Sequence, residues 1–380
     1  MEVQRLGKEN YDEIIGLMNY VFTLKNGKEM DLERELPKMC VRNDEHMRKH
    51  FGIFCDGKLV SALGVYPYET IVNGKKMLFA TMGNVVTHPD YEGNGYMTKL
   101  LDRGEQELRD LNVDVARLGG LRSRYNRYGF ECGGQVYKFV FTAKNREKKF
   151  FNFSDDITFE EVNPNDKEEM AFVTNLYNKN EIAVTRTPCN AYITMIAWQN
   201  TPYIARKNGK AVGYLVVDKS QTTLAEQFAV DVNSFTDMIC AWQKRVNSTI
   251  HFTLQPHQIE KIRIFTAVCE RFSMDSPSHF CILSWDKVID AFIKLKNEYC
   301  ALPKGELVVK IESYGTVRIY VDDFGAGCEK TNATPMLTMD RLMATRYIFG
   351  LYPAVMTAEV GHLAQAWFPL PLSWNLQDRV

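Results

Sequence analysis

No run of apolar residues in this chain approaches the roughly 20 that a membrane span needs. The N-terminus, Met1-Glu2-Val3-Gln4-Arg5-Leu6-Gly7-Lys8, lacks the apolar core of a secretory signal. An excess of one charge is also missing: 46 Lys and Arg against 47 Asp and Glu leave a net −1. No global field therefore recruits nucleic acid or an anionic membrane, and neither is expected as a partner. The nine cysteines include no C-x-x-C pair, and their number is odd. They read as reduced, mostly buried thiols of a cytoplasmic protein, which argues against a disulfide framework and against a metal site. What the chain does have is bulk. At 380 residues, 45% hydrophobic and 24% charged, it has an ordinary globular composition with room for two or three domains.

The stretch 71–101 organises the rest. A long apolar strand, 77–87, meets the stop His88-Pro89, passes through Asp90-Tyr91-Glu92-Gly93-Asn94-Gly95-Tyr96-Met97, and runs straight into a helical pattern. A glycine turn between strand and helix lets successive backbone N–H groups point into one concavity at the positive end of the helix, which suits a pyrophosphate. Glycine is needed because a side chain would strike the phosphates or forbid the turn. Upstream, 11–22 has apolar residues at helical spacing, while Asp56-Gly57 and Asn73-Gly74 are hairpin turns that cut 51–87 into three antiparallel strands. Downstream, Met97, Leu100, Leu101, Gly104, Leu108 and Leu111 share one helix face. The segment 113–118 then reads as a short strand beside 77–87, and 135–142 as a strand that closes the unit.

This order of elements, ending in Tyr125-Asn126-Arg127-Tyr128-Gly129-Phe130, resembles the GCN5-related N-acetyltransferases over the whole first unit. The family's loop reads Arg or Gln, two residues, Gly, one residue, then Gly or Ala. Here Glu92 replaces the cation and Met97 the small residue. Because backbone N–H groups do most of the holding, weaker rather than absent binding is expected. The resemblance implies an acetyl-CoA site built from Val85, Val86, Thr87, Glu92, Gly93, Asn94, Gly95, Tyr96, Met97 and Thr98. It also implies Phe22 and Leu36 against the acceptor, and Tyr125 as the general acid for the departing thiolate.

A second unit follows a charged linker that includes 144–149 and 154–156. Tyr203-Ile204-Ala205-Arg206-Lys207-Asn208-Gly209-Lys210 echoes Gly52-Ile53-Phe54-Cys55-Asp56-Gly57-Lys58, so the first pattern recurs. Its expected cofactor strand, 224–230, runs into Asp231-Val232-Asn233-Ser234 with no glycine turn. This copy has no place for a pyrophosphate. A third pattern begins near Lys287: a helix over 287–298, strands 305–311 and 316–322, and a helix 339–350 ending at Gly350. The tail, Trp367-Phe368-Pro369-Leu370-Pro371-Leu372-Ser373-Trp374, is apolar enough to dock rather than fray.

The expected fold class is therefore α/β (α+β): tandem acetyltransferase-type mixed sheets flanked by helices, plus a small third domain resembling sterol carrier protein. The expected domains are 1–146, active; 150–285, degenerate; and 286–380. That order is similar to the enhanced intracellular survival (Eis) family of bacterial N-acetyltransferases. The resemblance implies direct acetyl transfer to a primary amine of an aminoglycoside, a polyamine or lysine. It implies a homo-oligomer, a hexamer, and the terminal carboxylate, on Val380, as the general base.

Chemistry sets the demands. An alkylammonium of pKa near 10.4 is neutral about once in 10³ molecules at pH 7, a barrier of roughly 4 kcal/mol that a base must lower. The thioester oxygen gains negative charge, which a backbone N–H near Val86 or Thr87 can stabilise where the strand splays. The thiolate needs a proton, which a tyrosine hydroxyl supplies. Other residues have plainer readings. Tyr128 reads as core and His88 as structural. Arg117, Arg122, Arg124 and Arg127 form either a solvated edge or contacts to CoA phosphates, and Asp31, Glu33 and Glu35 either a solvated lid or substrate contacts. Two other functions stay open: a catalytically inactive acyl-CoA-binding sensor, and an apolar-ligand carrier built on the last domain.

Overall fold

The computed structural model describes residues 1–150, 153, 156–351 and 361–379. The first 133 residues supply β1 (Gln4–Arg5), β2 (His50–Cys55), β3 (Lys58–Val72), β4 (Lys75–Thr87), β5 (Val115–Leu118) and β6 (Glu131–Gly133). The middle of the chain supplies β7 (Val136–Phe141), β8 (Ile157–Glu161), β9 (Ile182–Val184), β10 (Thr201–Lys207), β11 (Lys210–Val217), β12 (Leu224–Ala229), β13 (Ile250–Leu254), β14 (Arg271–Asp275) and β15 (Ser278–Ile282). The last part adds β16 (Gly305–Ile311), β17 (Gly315–Asp322), β18 (Gly325–Lys330) and β19 (Leu337–Met339). Helices flank every sheet, so the architecture is mixed α/β.

Tight turns set the first sheet. Asp56, Gly57, Asn73 and Gly74 take left-handed φ of 49°, 77°, 49° and 74°, the geometry that matches the twist of a two-residue hairpin. The order is β1-β2-β3-β4-β5-β15-β6, with β9 added to the far end of β3. All its pairs are antiparallel except β4 with β5. The Tyr96–Asp110 helix makes that parallel crossover and buries Leu100, Leu101, Gly104 and Leu108 on the sheet.

The strand expected to close this unit lies elsewhere. β7 pairs with β13 and β14 in a separate sheet, and the place beside β5 is taken by β15. Aromatic packing accounts for the choice: Phe139 and Phe141 of β7 meet Phe252 and Phe265 at ring distances of 5.3 and 5.6 Å. In return β15 brings buried Phe280, Cys281 and Ile282 to the first sheet. The two halves thus exchange strands. The linker also differs from expectation, because Ala143–Lys149 is a helix with a Thr142/Asn145 capping box. Ser154 and Asp155 lie outside the described residues.

In the second half, β8, β10, β11 and β12 form an antiparallel sheet whose β10–β11 turn, Asn208-Gly209, repeats the left-handed pair (φ 51° and 77°). The third part packs the Trp285–Tyr299 helix on the sheet β18-β17-β16-β19. Two of those strands, β18 and β19, have no counterpart in the sequence reading. The Arg341–Phe349 helix does end at Gly350, but in an extended conformation (φ −90°). The core of this part is continuous with Met77, Phe79 and Val115 of the first sheet. The tail docks there: Trp367, Leu370 and Leu372 are buried, and the Trp374 ring sits 5.3 Å from Phe79.

Candidate active site

β4 and β5 pair only over Phe79–Met82 and Val115–Leu118. Beyond that point β5 has ended while β4 continues to Thr87, which opens a V. Within β4, Asn84 and Val85 lie together opposite Leu63, a bulge, and Asn84 takes a left-handed φ of 55°. Val86 and Thr87 return to register opposite Ala62 and Ser61. The His88 amide donates to the Val60 carbonyl at 2.8 Å. By strand alternation the Thr87 amide therefore faces away from β3, toward the opening.

The glycine turn stands at the mouth of the V. Gly93 and Gly95 have φ of 82° and 74°, and nothing lies within 4 Å of the place a Cβ would occupy on either. Gly95 caps the Tyr96–Asp110 helix without a side-chain bond, and the first turn carries no acidic residue. Backbone donors at the positive helix end are thus left for a ligand, in a cradle that a side chain would fill, so the residues fit a pyrophosphate. A cavity of about 400 Å³ here is lined by Val85, Thr87, Glu92, Gly93, Gly95, Tyr96, Met97 and Thr98, together with Lys25, Tyr91 and Arg124. Two expected residues do not line it. Val86 is buried in the cluster under the Tyr11–Asn26 helix, and Asn94 donates to the Tyr91 carbonyl at 3.0 Å, which holds the turn. The corresponding helix of the second half, Val232–Val246, is capped by the Asp231 carboxylate, which accepts from the Ser234 amide at 2.7 Å.

A second cavity, about 360 Å³, adjoins the first and shares Lys25, Val85 and Arg124 with it. Phe22, Leu36 and Tyr125 line it. The Arg122–Tyr125 helix follows Gly119-Gly120, and the Tyr125 ring packs 3.1 Å from where a Cβ on Gly120 would stand. Burial raises the Tyr125 phenol above its ordinary range, against the pull of Arg124. It therefore keeps its proton at neutral pH. Sequence reasoning missed Asn84, Met30, Leu32 and above all Trp198, which reaches this cavity from the second half.

The remaining candidates separate. Arg117 is buried and donates to Ser278, Arg122 pairs with Glu131, and Arg127 reaches Thr98 Oγ1 at 2.9 Å on the first turn of the Tyr96–Asp110 helix. Of the four only Arg124 lines the cavities. Tyr128 is buried and donates to the Thr98 carbonyl at 3.4 Å. His88 stacks on Tyr20 at 5.1 Å and accepts from the Asp90 amide. Val380, the expected base, lies outside the described residues. Among the described residues no cluster of His, Cys, Asp and Glu could hold a metal ion, and no helix is long and apolar enough to cross a membrane.

Comparison with known proteins agrees with this geometry. The structure of Eis1 from Mycobacterium abscessus superposes with a TM-score of 0.66 at 13% identity, covering 99% of this chain and 98% of that one. A GCN5-related N-acetyltransferase from Kribbella flavida gives 0.67 at 13% identity over 100% and 98%. A probable N-acyltransferase from Enterococcus faecalis gives 0.62 at 17% over 91% and 88%. At these identities the likeness is one of fold. No curated protein sequence matches the chain. Residues 2–133, the part that carries the open V, the glycine turn and Tyr125, match the acetyltransferase (GNAT) domain family, so the chain is an enzyme whose first part is an acetyltransferase domain using acetyl-CoA.

Proposed function

We propose that the enzyme acetylates a primary amine held in the cavity beneath Phe22, Leu36 and Trp198, by direct transfer with Tyr125 as general acid. The observation that carries this reading is the junction of the two cavities at Val85 and Arg124, with Tyr125 in the second. Acetyl-CoA supplies an activated acyl carbon: the amine nitrogen forms a C–N bond as the C–S bond breaks, nitrogen gives up a proton, and sulfur takes one. The Gly93–Gly95 turn and the uncapped helix N-terminus hold the pyrophosphate. The Thr87 amide, turned toward the opening, suits the charge that develops on the carbonyl oxygen. Tyr125, protonated at neutral pH, returns the proton that sulfur needs.

The proton the ammonium must lose leaves to water or to a carboxylate base. The terminal carboxylate of Val380 is the candidate that the family resemblance offers. In support of a docked tail, Lys38 Nζ donates to the carbonyls of Gln377 and Arg379, two residues after the cavity residue Leu36. Asp231 at the helix start of the second half supports a single cofactor site per chain. The Eis-like arrangement, with a sterol-carrier-like third part and an oligomeric assembly, belongs to the same reading. Thiol release from acetyl-CoA with a panel of amines tests it. Acetyl-CoA binding with no amine-dependent thiol release would favour a sensor instead.

A further inference from the structure

We propose that the acceptor is a monoamine carried on a flat apolar body, an arylalkylamine, and that Trp198 is the platform it lies on. This rests on the amine-acetyltransferase reading above and narrows it. The resemblance to Eis suggests cations with several amines, but the walls of the acceptor cavity are built for something else. They are largely apolar, with Phe22, Leu32, Leu36, Met82 and Leu118 among them. The charged side chains on the described lining are Lys25 and Arg124, both cationic. Of the four carboxylates in the covering segment, 25–36, which a polycation would call on, none is on the cavity lining, and three are engaged elsewhere. Asp31 caps its own short helix by accepting from the Arg34 amide, Glu33 accepts from the Tyr11 hydroxyl at 2.7 Å, and Glu35 accepts from the Gln199 side chain. A substrate with two or more ammonium groups would set its extra charges beside Lys25 and Arg124, where like charges repel.

Trp198 offers a flat apolar substrate a partner in this cavity. Its backbone is left-handed (φ 62°, ψ 24°), and Gln199 follows with φ 57°. Bulky residues avoid that region, and a protein keeps such strain where the surroundings over-determine it, commonly at sites that act on a ligand. Here the surroundings do so from three sides. Ala197 is fully buried, Gln199 is tied to Glu35, and Gln377 Nε2 donates to the carbonyls of Met195 at 2.7 Å and Ala197 at 3.4 Å. The indole itself is not core, since Trp198 is 40% exposed and lines the cavity. A strained loop locked at both ends thus brings an aromatic ring to the cavity that Tyr125 also lines. An aromatic ring offers offset stacking to a flat apolar body.

The test measures kcat and KM for 2-phenylethylamine and tryptamine against spermidine and kanamycin, in the wild-type chain and in Trp198→Ala and Trp198→Phe. The arylalkylamines are expected to exceed the polycations in kcat/KM by roughly tenfold or more. Trp198→Ala is expected to raise their KM about tenfold with kcat and acetyl-CoA affinity little changed, and Trp198→Phe to recover most of the loss. A preference for the polycations, or a Trp198→Ala variant with unchanged KM, would overturn the proposal while leaving amine acetylation in place. Acetyl-CoA binding by calorimetry with no amine in the panel acetylated would overturn both this proposal and the broader reading it narrows.

Discussion

The side-chain amide of Asn84 donates to the Tyr66 hydroxyl across 2.7 Å, and Tyr66 bonds in turn to His50 Nε2 at 2.8 Å. The Met47 carbonyl, 3.2 Å from His50 Nδ1, can only accept. His50 therefore carries its proton on Nδ1 and accepts from Tyr66 on Nε2. This fully oriented chain ties the left-handed bulge residue of β4 to two buried rings. Tyr66→Phe removes the middle link, leaves the buried His50 Nε2 unpaired and frees the half-buried Asn84 amide, at a cost of about 1–3 kcal/mol. With the bulge released, kcat should fall while calorimetric acetyl-CoA affinity holds, because the glycine turn is untouched. Unchanged turnover in a variant of reduced stability would reduce the chain to a purely structural role.

His50 also sets a pH dependence. Burial, helped by His46, lowers its imidazole from the ordinary 6.5 to about 3, and burial lowers His46 as well. Between those limits the unfolded chain binds a proton that the folded chain refuses. Stability from this group is therefore complete above pH 6.5 and drains as pH falls, by up to roughly 1.4 kcal/mol per unit. Urea midpoints measured from pH 7 to pH 5 should drop more steeply for the wild-type chain than for His50→Gln. Parallel slopes would mean that the ring is hydrated or charged in the folded state.

Local signals were legible in the sequence and non-local ones were not. Asp56-Gly57 and Asn73-Gly74 identified hairpins because left-handed turn residues act within four positions of chain. Gly93 and Gly95 identified the turn between β4 and its following helix for the same reason, although Val86 and Asn94, from the same stretch, do not line the cavity there. The exchange of β7 for β15 was not legible. Either strand carries enough apolar residues for either sheet, and the decision lies with Phe252 and Phe265, more than 100 residues downstream of β7. Trp198 was invisible for a related reason: an isolated Trp between Ala197 and Gln199 carries no periodicity, and its role exists only once the second half folds against the first.

Tyr125→Phe should leave acetyl-CoA affinity intact and lower kcat about 10²-fold, since it removes a proton donor used only as sulfur departs. Burial of the phenol keeps it protonated, so the defect should persist across neutral pH rather than be rescued by a shift of it. Single-turnover rates with saturating amine give the comparison. A kcat equal to wild type with chemistry rate-limiting would return Tyr125 to the core.

Gly95→Asp should abolish acetyl-CoA binding while the protein stays folded. The new carboxylate would sit at the N-cap, where Asp231 sits in the second half, and a capping Asp offsets part of the left-handed strain. The first half would then resemble the second in charge at the helix start. Calorimetry should show one acetyl-CoA per wild-type chain and none for the variant, with thermal midpoints close together. Residual binding of one equivalent would place a cofactor in the second half.

The tail gives the sharpest stability prediction. Asp378, the third residue from the last, looks too polar to bury, yet it is 4% exposed because a cage is built for it. Arg186 donates to Asp378 Oδ1 at 2.7 and 3.1 Å and also binds Glu226, while the Tyr177 hydroxyl donates to Asp378 Oδ2. The opening of the second half, between β12 and β13, is lined by Trp374, Asn375, Leu376 and Arg379 of the same tail. Arg186→Met would strand two buried carboxylates at about 3–5 kcal/mol. Burial raises Glu226 above the usual carboxylate range even with Arg186 in place, and the variant would push it further. A carboxylate whose folded pKa exceeds its unfolded one gains stability as pH falls. Arg186→Met should therefore be far less stable than wild type at pH 7.5 and recover part of the gap at pH 5.5, a slope opposite in sign to that from His50. Thermal midpoints at the two pH values decide it, and a gap that stays constant would show that the cage does not carry the charges assigned to it.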